Sequence, residues 1–212
     1  MRKLTLNSEI LYRALKLTEE VYDESMYGID DLYRIKDIGH SVDINHWKSK
    51  EWLAKEFHKH YNHDAGHFYV AGGWYGMAAY QLRQMWPDID QMAITSADMD
   101  PMCEEYAWKL FYDSNIDFIT EEVDAEIDLS KYSAIINTSC EHMEQEDILS
   151  IIKNKPKDTW VVFQSNNFVD LTAHINCWPT VDLFAESLKL DYVAYAESLD
   201  LGDFKRHMVI GK

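Results

Sequence analysis

Residues 67–76 read HFYVAGGWYG, an apolar run that ends abruptly in two glycines, two aromatic residues and a third glycine. The run predicts a buried strand, and the amphipathic stretch that follows predicts a helix over residues 76–86. Glycines let the chain turn sharply and let a ligand approach the backbone, while free N–H groups at a helix start favour an anionic group. Gly72, Gly73 and Gly76 therefore predict a ligand-binding turn, with a purely structural turn as the alternative.

The next apolar run, residues 91–96, leads into the sequence ADMDP. Asp98 follows the glycine turn by about 20 residues, a spacing that suits hydrogen bonds from an acid to a ribose diol. Asp98 could instead cap the helix that begins at Pro101. Asp100 directly precedes Pro101 and fits that capping role better, so Asp98 is predicted to bind ribose.

Strand-like and helix-like segments alternate along the rest of the chain. Five apolar runs predict strands at 67–71, 91–96, 116–120, 132–136 and 159–164. The amphipathic stretches between and after them predict helices at 76–86, 101–113, 144–153 and 180–188. Such alternation predicts an α/β fold in which right-handed crossovers join parallel strands. Two further strand-like runs, 191–198 and 206–210, are joined by a loop too short for a helix, so they predict a terminal antiparallel hairpin.

The first third of the chain has a helical pattern. Residues 8–24 and 43–61 carry apolar residues at helical spacing and predict two helices, whereas residues 27–41 predict a loop. The predicted organisation is a helical extension over residues 1–66, followed by an α/β domain over residues 67–212.

The net charge of −17 argues against a broad nucleic-acid-binding surface, because such affinity comes largely from Lys and Arg that neutralise phosphates. A local basic groove stays open, but the charge favours a small-molecule substrate. Neither a signal peptide nor a membrane span is predicted, since no long apolar stretch follows the basic N-terminus or occurs elsewhere. Cys103, Cys140 and Cys177 lie far apart, which predicts free thiols and a reducing, cytoplasmic location.

Five motifs occur in an order typical of one enzyme family. They are VAGGWYG, ITSADMDP, IDFITEEVDAEI, YSAIINTSCEHM and KPKDTWVVFQSN, and the terminal hairpin follows them. In this order the chain resembles the class I S-adenosylmethionine-dependent methyltransferases over residues 67–212. The resemblance implies a Rossmann-like sheet, S-adenosylmethionine as cofactor and transfer of its methyl group to an acceptor.

One departure from the family concerns the residue before the glycines. The family usually carries an acid there, which helps to hold the methionine amine, and its loop reads roughly G-x-G-x-G. Here Ala71 takes that place and the glycines are spaced G-G-x-x-G, so the amine must be held from elsewhere. The GGWYG variant, followed by INTSCEHM and QSN, resembles poorly characterised methyltransferase-like proteins, some of them phage-encoded.

The resemblance also implies which residues touch the cofactor. In the family the first loop holds the methionine and adenosine parts, the acid after strand two binds the ribose, and a residue after strand three contacts adenine. That last residue is Asp124 here, with Val123 or Glu122 nearby, and strand four ends at the methyl-transfer face. The implied cofactor contacts are Gly72, Gly73, Trp74, Tyr75, Gly76, Asp98, Met99, Val123, Asp124, Asn137 and Thr138.

Trp74 and Tyr75 have two interpretations. S-adenosylmethionine carries a sulfonium cation, and aromatic faces attract cations or line an adenosine pocket. Alternatively, both rings pack under the N-terminal helices. The aromatic residues of the extension likewise either close the acceptor pocket or form ordinary core, and they are Trp47, Trp52, Phe57 and Tyr61.

Polar residues follow strands four and five, at the edge where α/β sheets bind ligands. Glu141 with His142 is similar to a recurrent pair in small-molecule members of the family, and we expect Glu141 to be catalytic. His142 and His174 are the favoured general bases if the acceptor must lose a proton. Many methyl transfers need little beyond in-line positioning, so a base is optional. Substrate contacts are predicted, with Asx-turn and loop chemistry as the alternative, at Ser139, Gln164, Asn166 and Asn167.

A histidine-rich segment, HKHYNHDAGH at residues 58–67, precedes the first strand. His63 and His67 have the spacing of two metal ligands on one helix face. Gly66 and the coming strand should end that helix, so a polar helix end is favoured and no metal is predicted.

Two absent motifs narrow the function. There is no G-x-x-x-x-G-K-[ST] sequence of a P-loop NTPase. There is also no Asn/Asp-Pro-Pro-Tyr tetrapeptide, which disfavours methylation of DNA bases and leaves RNA or an unusual nucleotide open.

The predicted function is methyl transfer to a small-molecule or nucleotide-like acceptor. The other hypotheses are aminocarboxypropyl transfer or cleavage of the cofactor, a nicotinamide-dependent oxidoreductase, and a non-catalytic domain that binds only the cofactor or a partner protein.

Overall fold

The computed structural model describes residues 8–24, 29–123 and 127–212 of the chain. Its centre is a seven-stranded sheet with helices on both faces. The strands are β1 (Gly66–Ala71), β2 (Met92–Asp98), β3 (Asp117–Thr120), β4 (Ala134–Asn137), β5 (Trp160–Asn166), β6 (Val193–Asp200) and β7 (Lys205–Gly211). The helices are α1 (Ser8–Glu24), α2 (Ile29–Ser41), α3 (Ile44–His60), α4 (Met77–Met85), α5 (Pro101–Phe111), α6 (Gln145–Asn154) and α7 (Val181–Leu188), and a 3₁₀ turn spans Cys140–His142.

The order of strands across the sheet is β3-β2-β1-β4-β5-β7-β6. Strands β1 to β5 pair in parallel, whereas β7 runs antiparallel to both β5 and β6. The predicted α/β fold, with parallel strands and a terminal antiparallel hairpin, is confirmed. The order of strands reverses between β1 and β4, and such a switch point opens a crevice at the carboxyl edge of the sheet, where ligands bind.

The central strands are buried on both faces because helices cover the sheet from each side. Side chains alternate along a strand, so Phe68 and Val70 of β1 pack into one hydrophobic cluster, whereas Tyr69 and Ala71 pack into another. Every residue of β5 is buried. Strands of this kind form continuous apolar runs, which is why the sequence predicts their positions.

The loop predicted at residues 27–41 is wrong over its described part, which forms helix α2. Ile38 of α2 is fully buried, in a cluster that also contains Ile10 and Leu17 of α1. Packing against α1 stabilises a helix whose own sequence, with Gly39 near its end, is a weak helix former.

The aromatic residues of the N-terminal helices belong to the core. Trp47, Phe57 and Tyr61 are buried in the cluster that holds one face of β1. Trp52 packs against this cluster, and its indole N–H donates to the Tyr195 hydroxyl at 3.2 Å. These contacts join helix α3 to the sheet. None of the helices in the described ranges has the length and apolar character needed to cross a bilayer.

Candidate active site

A cavity of about 720 Å³ opens at the carboxyl edge of the sheet, between the switch point and the N-terminal helices. Its base comes from the turns after β1 and β4 and from the end of β2, and helices α2 and α3 form its roof. The loops after β3 and β5 close the sides. The cavity brings together many of the predicted site residues, namely Gly72, Gly73, Trp74, Tyr75, Asp98, Met99, Val123, Thr138, Ser139, Glu141, His142 and His174.

The glycine turn after β1 is shaped by close contacts with neighbouring strands. Gly72 has a φ of +58°, a left-handed conformation that glycine adopts without strain. A Cβ on Gly73 would lie 2.1 Å from Ser96 Oγ, so the turn packs too tightly against β2 for a side chain. The Gly73 N–H donates to the Ala97 carbonyl at 2.8 Å and fixes the turn to β2. The turn therefore presents bare backbone to the cavity.

Gly76 lies outside the cavity lining. It directly precedes α4 with a φ of +83°, and a Cβ there would approach the Phe118 ring to 2.6 Å. The packing of the chain itself thus requires a glycine. At this position the structure favours the purely structural alternative over a cofactor contact.

Asp98 ends β2 and lines the cavity. Its Oδ2 accepts the Trp74 N–H at 2.8 Å, and its Oδ1 accepts the Asp100 N–H at 3.1 Å. Asp100 caps α5, because its Oδ1 accepts the Met102 N–H at 2.9 Å. The capping role therefore belongs to Asp100, and the Asp98 carboxylate, which also bonds to the Cys103 thiol, keeps a lone pair for a ligand hydroxyl.

Trp74 and Tyr75 stack on each other, with ring centroids 5.1 Å apart and planes inclined by 24°. Trp74 has a φ of +48°, which is uncommon for a residue with a side chain, and its ring centroid lies 5.4 Å from that of His46 in α3. Burial raises the pKa of Tyr75 to about 12, and Arg34 Nη1 of α2 lies 3.5 Å from its hydroxyl. Both aromatic residues therefore line the cavity and also contact the N-terminal helices.

A buried ion pair lines the cavity beside β4. The guanidinium of Arg206, from β7, donates to the Glu141 carboxylate and to the Thr138 carbonyl. Burial alone would raise the pKa of Glu141, but the charge of Arg206 holds this pKa below its ordinary value. Glu141 Oε2 is buried and has no hydrogen-bond partner among the described residues. Glu141 is therefore held ionised, with one oxygen unpaired.

Lys50 brings a second basic group into the cavity from α3. Its side chain is buried, and its Nζ donates to Gln164 Oε1 at 3.3 Å. Burial lowers the pKa of Lys50 well below its ordinary value, and the nearby charge of Arg206 lowers it further. The amine therefore gives up its proton more readily than that of an exposed lysine.

His142 and His174 meet from two different loops, with ring centroids 4.8 Å apart and planes inclined by 73°. His142 Nδ1 lies 3.0 Å from the Ala173 carbonyl oxygen, and His174 Nδ1 lies 2.6 Å from that of Phe168. A carbonyl oxygen only accepts, so each Nδ1 carries a hydrogen and each neutral ring keeps the electron pair on Nε2. Within the described ranges neither Nε2 has a hydrogen-bond partner, so both electron pairs can bind a proton or a cation.

Besides Gly76, four predicted site residues in the described ranges do not line the cavity, and their side chains bond to the chain itself. Asn137 and Asn166 each accept the N–H two residues further on, at 2.9 and 2.8 Å, and so form Asx turns. Asn167 accepts the Lys205 N–H at 2.8 Å, and Gln164 is buried against α3. The structure thus shows turn and packing contacts for these residues, and their contacts with cofactor or substrate stay predictions.

Helices α2 and α3 and strand β7 contribute cavity residues that no motif of the sequence predicted. Lys50 shares the buried face of α3 with Trp47 and Phe57, and a charged residue on such a face is a signal that could have identified it. Arg206, in the mostly buried strand β7, carries the same signal. Asp124, the predicted adenine contact, lies outside the described residues. The other lining residues from α2 and α3 are Asp37, His40, Ser41 and His46.

The fold has counterparts among solved structures. Magnesium protoporphyrin IX methyltransferase (ChlM) from Synechocystis PCC 6803 with bound SAM is 13% identical, with a TM-score of 0.57, over 99% of this chain and 98% of that chain. The same protein with bound SAH is 12% identical, with a TM-score of 0.59, over 91% and 90% of the two chains. Ribosomal protein L11 methylase from Lactobacillus delbrueckii subsp. bulgaricus is 12% identical, with a TM-score of 0.53, over 76% and 77%.

These structural neighbours are class I S-adenosylmethionine-dependent methyltransferases, and the chain shares their fold. No model of a known protein family and no curated protein matches the sequence. At such low identity the similarity defines the fold alone, so the activity has to be argued from the site.

Proposed function

We propose that the protein is an S-adenosylmethionine-dependent methyltransferase that acts on a small-molecule or nucleotide-like acceptor. One observation carries the proposal: Asp98, the bare glycine turn and the histidines His142 and His174 all face one cavity at the switch point of the sheet. A cavity of about 720 Å³ has the size of a small-molecule site. The net charge of −17 disfavours an extended nucleic-acid partner.

The proposed cofactor lies along the glycine turn. Asp98 would accept hydrogen bonds from the ribose hydroxyls, and Met99 and Val123 offer apolar contacts to the adenine. The Trp74 ring supplies an aromatic face that attracts a sulfonium cation. Ala71 packs in a hydrophobic cluster below the turn, so the methionine amine must be held by another group of the cavity.

The proposed chemistry is an in-line displacement. The acceptor atom attacks the methyl carbon, the bond between this carbon and sulfur breaks, and its electron pair remains on sulfur, which yields neutral S-adenosylhomocysteine. Positioning of the two reactants supplies much of the acceleration. Where the acceptor carries a proton, Nε2 of His142 or His174 is free to take it. The proposed catalytic group consists of His142, His174 and Glu141, and Arg206 holds the Glu141 carboxylate ionised.

The cofactor is tested first by calorimetric titration with S-adenosylmethionine, S-adenosylhomocysteine and NAD in parallel. We expect micromolar binding of the first two and at least a ten-fold loss of affinity in Asp98→Ala. Asp100→Asn is the matched control, because asparagine also caps helices and Asp100 lies outside the cavity lining. Binding of NAD in place of the other two would mean an oxidoreductase, and binding of none would end the methyltransferase proposal.

The reaction is tested by mass spectrometry of the nucleoside released in the presence of candidate acceptors. S-adenosylhomocysteine is the expected product. Because Ala71 replaces the usual acid, aminocarboxypropyl transfer or cofactor cleavage is the second candidate reaction. Either would release methylthioadenosine instead of S-adenosylhomocysteine. Tight binding without any product would identify a non-catalytic cofactor-binding domain.

Three further features belong to the same proposal. We infer that residues 1–66 act as a helical cap over the active site and that residues 67–212 bind the cofactor. The free thiols of the chain support a cytoplasmic location. The grouping with phage-encoded methyltransferase-like proteins is supported by the GGWYG motif together with the INTSCEHM and QSN segments that follow it.

A further inference from the structure

Glu141, His142 and His174 form a cluster of three metal-ligating side chains. One ligand atom from each residue lies within 4.8 Å of the other two. Glu141 and His142 belong to the 3₁₀ turn after β4, and His174 lies in the loop after β5. All three line the cavity, so the cluster borders the space in which an acceptor would lie.

Both imidazoles have the hydrogen bonding that metal-bound histidines usually show. Each Nδ1–H is paired with a backbone carbonyl, that of Ala173 for His142 and that of Phe168 for His174. Such a bond fixes the orientation of the ring and raises the basicity of the opposite nitrogen. The two Nε2 atoms are therefore prepared as ligands by bonds within the chain.

The Glu141 carboxylate provides a second, independent observation. One oxygen bonds to Arg206, whereas Oε2 is buried and has no partner among the described residues. A buried carboxylate oxygen without a hydrogen-bond partner is unfavourable. A cation bound at Oε2 would remove this cost, so the unpaired oxygen itself points to a ligand.

Backbone hydrogen bonds fix the two loops to each other. The Glu141 carbonyl accepts the N–H groups of Ile175 at 2.9 Å and of Asn176 at 3.1 Å. The Asn176 side chain also donates to Gln145 Oε1 at 3.0 Å.

Metal–nitrogen bonds of about 2.1 Å place two ligands of one ion at most about 4.2 Å apart. One ligand atom from each of the three side chains lies within 4.8 Å of the other two, a spacing close to this span.

We propose that Glu141, His142 and His174 bind a divalent first-row transition-metal cation with open coordination positions towards the cavity. Two histidines and one glutamate are a ligand set of catalytic Zn²⁺, and imidazole nitrogen suits such cations better than it suits Mg²⁺. The open positions take the oxygen of a hydroxyl-bearing acceptor. This acceptor role rests on the proposed methyltransferase function, whereas binding of the cation does not.

The cation changes the roles of the two histidines. A bound hydroxyl loses its proton to water more readily, because the cation stabilises the oxyanion. The oxyanion then attacks the methyl carbon of the cofactor, the carbon–sulfur bond breaks and its electron pair stays on sulfur. No group is oxidised or reduced. His142 and His174 thus hold the cation and do not accept the proton themselves.

Calorimetric titration of the full chain with ZnCl₂ and, separately, with MnCl₂ tests the site without any cofactor present. We expect one site per chain whose affinity falls at least ten-fold in His142→Ala and in His174→Ala. His40→Ala removes another histidine from the same cavity, and His58→Ala removes one from a different surface; both should leave the affinity unchanged. Equal weakening in all four variants, or no saturable binding by the unsubstituted chain, would overturn the metal site.

A parallel titration with S-adenosylhomocysteine separates the two proposals. His174→Ala should lose the cation and keep the nucleoside, which also shows that this variant folds. Asp98→Ala should do the reverse. If the unsubstituted chain binds the cation but not S-adenosylhomocysteine, the metal site is supported and the methyltransferase proposal is wrong. If the unsubstituted chain binds S-adenosylhomocysteine but neither Zn²⁺ nor Mn²⁺, only the proposed metal site is wrong.

Discussion

Within the glycine turn, the Ser96 hydroxyl determines whether position 73 has room for a side chain. A Cβ on Gly73 would lie 2.1 Å from Ser96 Oγ but 3.4 Å from Ser96 Cβ, which is an ordinary contact. Gly73→Ala should lower the free energy of unfolding by about 1–3 kcal/mol through overpacking, and adding Ser96→Ala should restore most of it. Thermal unfolding of both single variants and the double variant measures this coupling. Simply additive losses would contradict the packing argument.

Lys50 places a titratable amine in the cavity at a cost to stability. Its pKa is lower in the folded chain than in the unfolded chain. Below the ordinary lysine pKa of about 10.4 the unfolded chain therefore binds this proton more strongly, which lowers the stability of the fold. Lys50→Met should therefore raise Tm at pH 7, by about 2–4 °C for each 1 kcal/mol gained, and this gain should shrink as the pH approaches 10. Lys48→Met, at an exposed position of the same helix, is the control and should change little. A Tm gain that is independent of pH would rule out titration as the cause.

The Trp74 ring distinguishes the two forms of the proposed cofactor by charge. S-adenosylmethionine carries a sulfonium cation, and S-adenosylhomocysteine does not. Trp74→Ala should therefore weaken binding of the first by about 0.5–2 kcal/mol more than binding of the second, which is the range of a cation–π contact. Paired calorimetric titrations measure the difference. Equal losses for both ligands would mean that the ring acts only through the adenosine part.

Among the elements, helix α3 forms part of the cavity roof and begins at a charged cap. Asp43 Oδ1 accepts the N–H groups of Asn45 and His46, both at 2.8 Å. Burial opposes ionisation here, but the His46 ring, whose Nδ1 lies 3.1 Å from Asp43 Oδ2, and the backbone N–H bonds outweigh it and lower the pKa of Asp43 to about 2. Because this pKa lies below the unfolded-state value of about 3.9, the charge stabilises the fold above pH 4. That stabilisation is lost as the pH falls towards 2.

Two substitutions separate the cap from its charge. Asp43→Ala removes the acceptor and should lower the free energy of unfolding by about 1 kcal/mol at pH 7, whereas Asp43→Asn keeps an acceptor and should lower it less. Both variants should show a weaker loss of stability than the unsubstituted chain between pH 4 and pH 2. Urea unfolding at several pH values measures both effects. Equal stability of Asp43→Ala and the unsubstituted chain at pH 7 would contradict a capping role.

Elements differ in how far the sequence alone predicts them. Strands β1, β4 and β5 could be predicted because a strand buried on both faces is a continuous apolar run. Helix α2 could not, because it depends on packing against α1, which no local pattern shows. Asp98 was identifiable by its spacing from the glycines, but a polar residue after a strand does not reveal whether it faces a ligand or its own backbone. Asn166 faces its own backbone. Lys50 meets Arg206 and Glu141 only in three dimensions.

At the scale of the whole molecule, the proposed cofactor should stabilise the entire fold. A ligand that binds only the folded chain adds about 2.7 kcal/mol at 100 times its Kd, which corresponds to about 5–10 °C in Tm for a chain of this size. S-adenosylhomocysteine should produce this shift in the unsubstituted chain and in Asp100→Asn, but not in Asp98→Ala. Differential scanning fluorimetry measures it. An equal shift in Asp98→Ala would place the nucleoside elsewhere on the protein.

Carboxylates from several parts of the chain line the cavity, and the protein as a whole is strongly acidic. S-adenosylmethionine arrives with a net positive charge, whereas S-adenosylhomocysteine leaves with none. Long-range attraction should therefore accelerate binding of the proposed cofactor without favouring return of the proposed product, even though both would occupy the same cavity. Salt screens this attraction, so inhibition by the product should deepen as ionic strength rises. The acids that line the cavity are Asp37, Asp98, Glu121, Glu122, Glu141, Glu144 and Asp147.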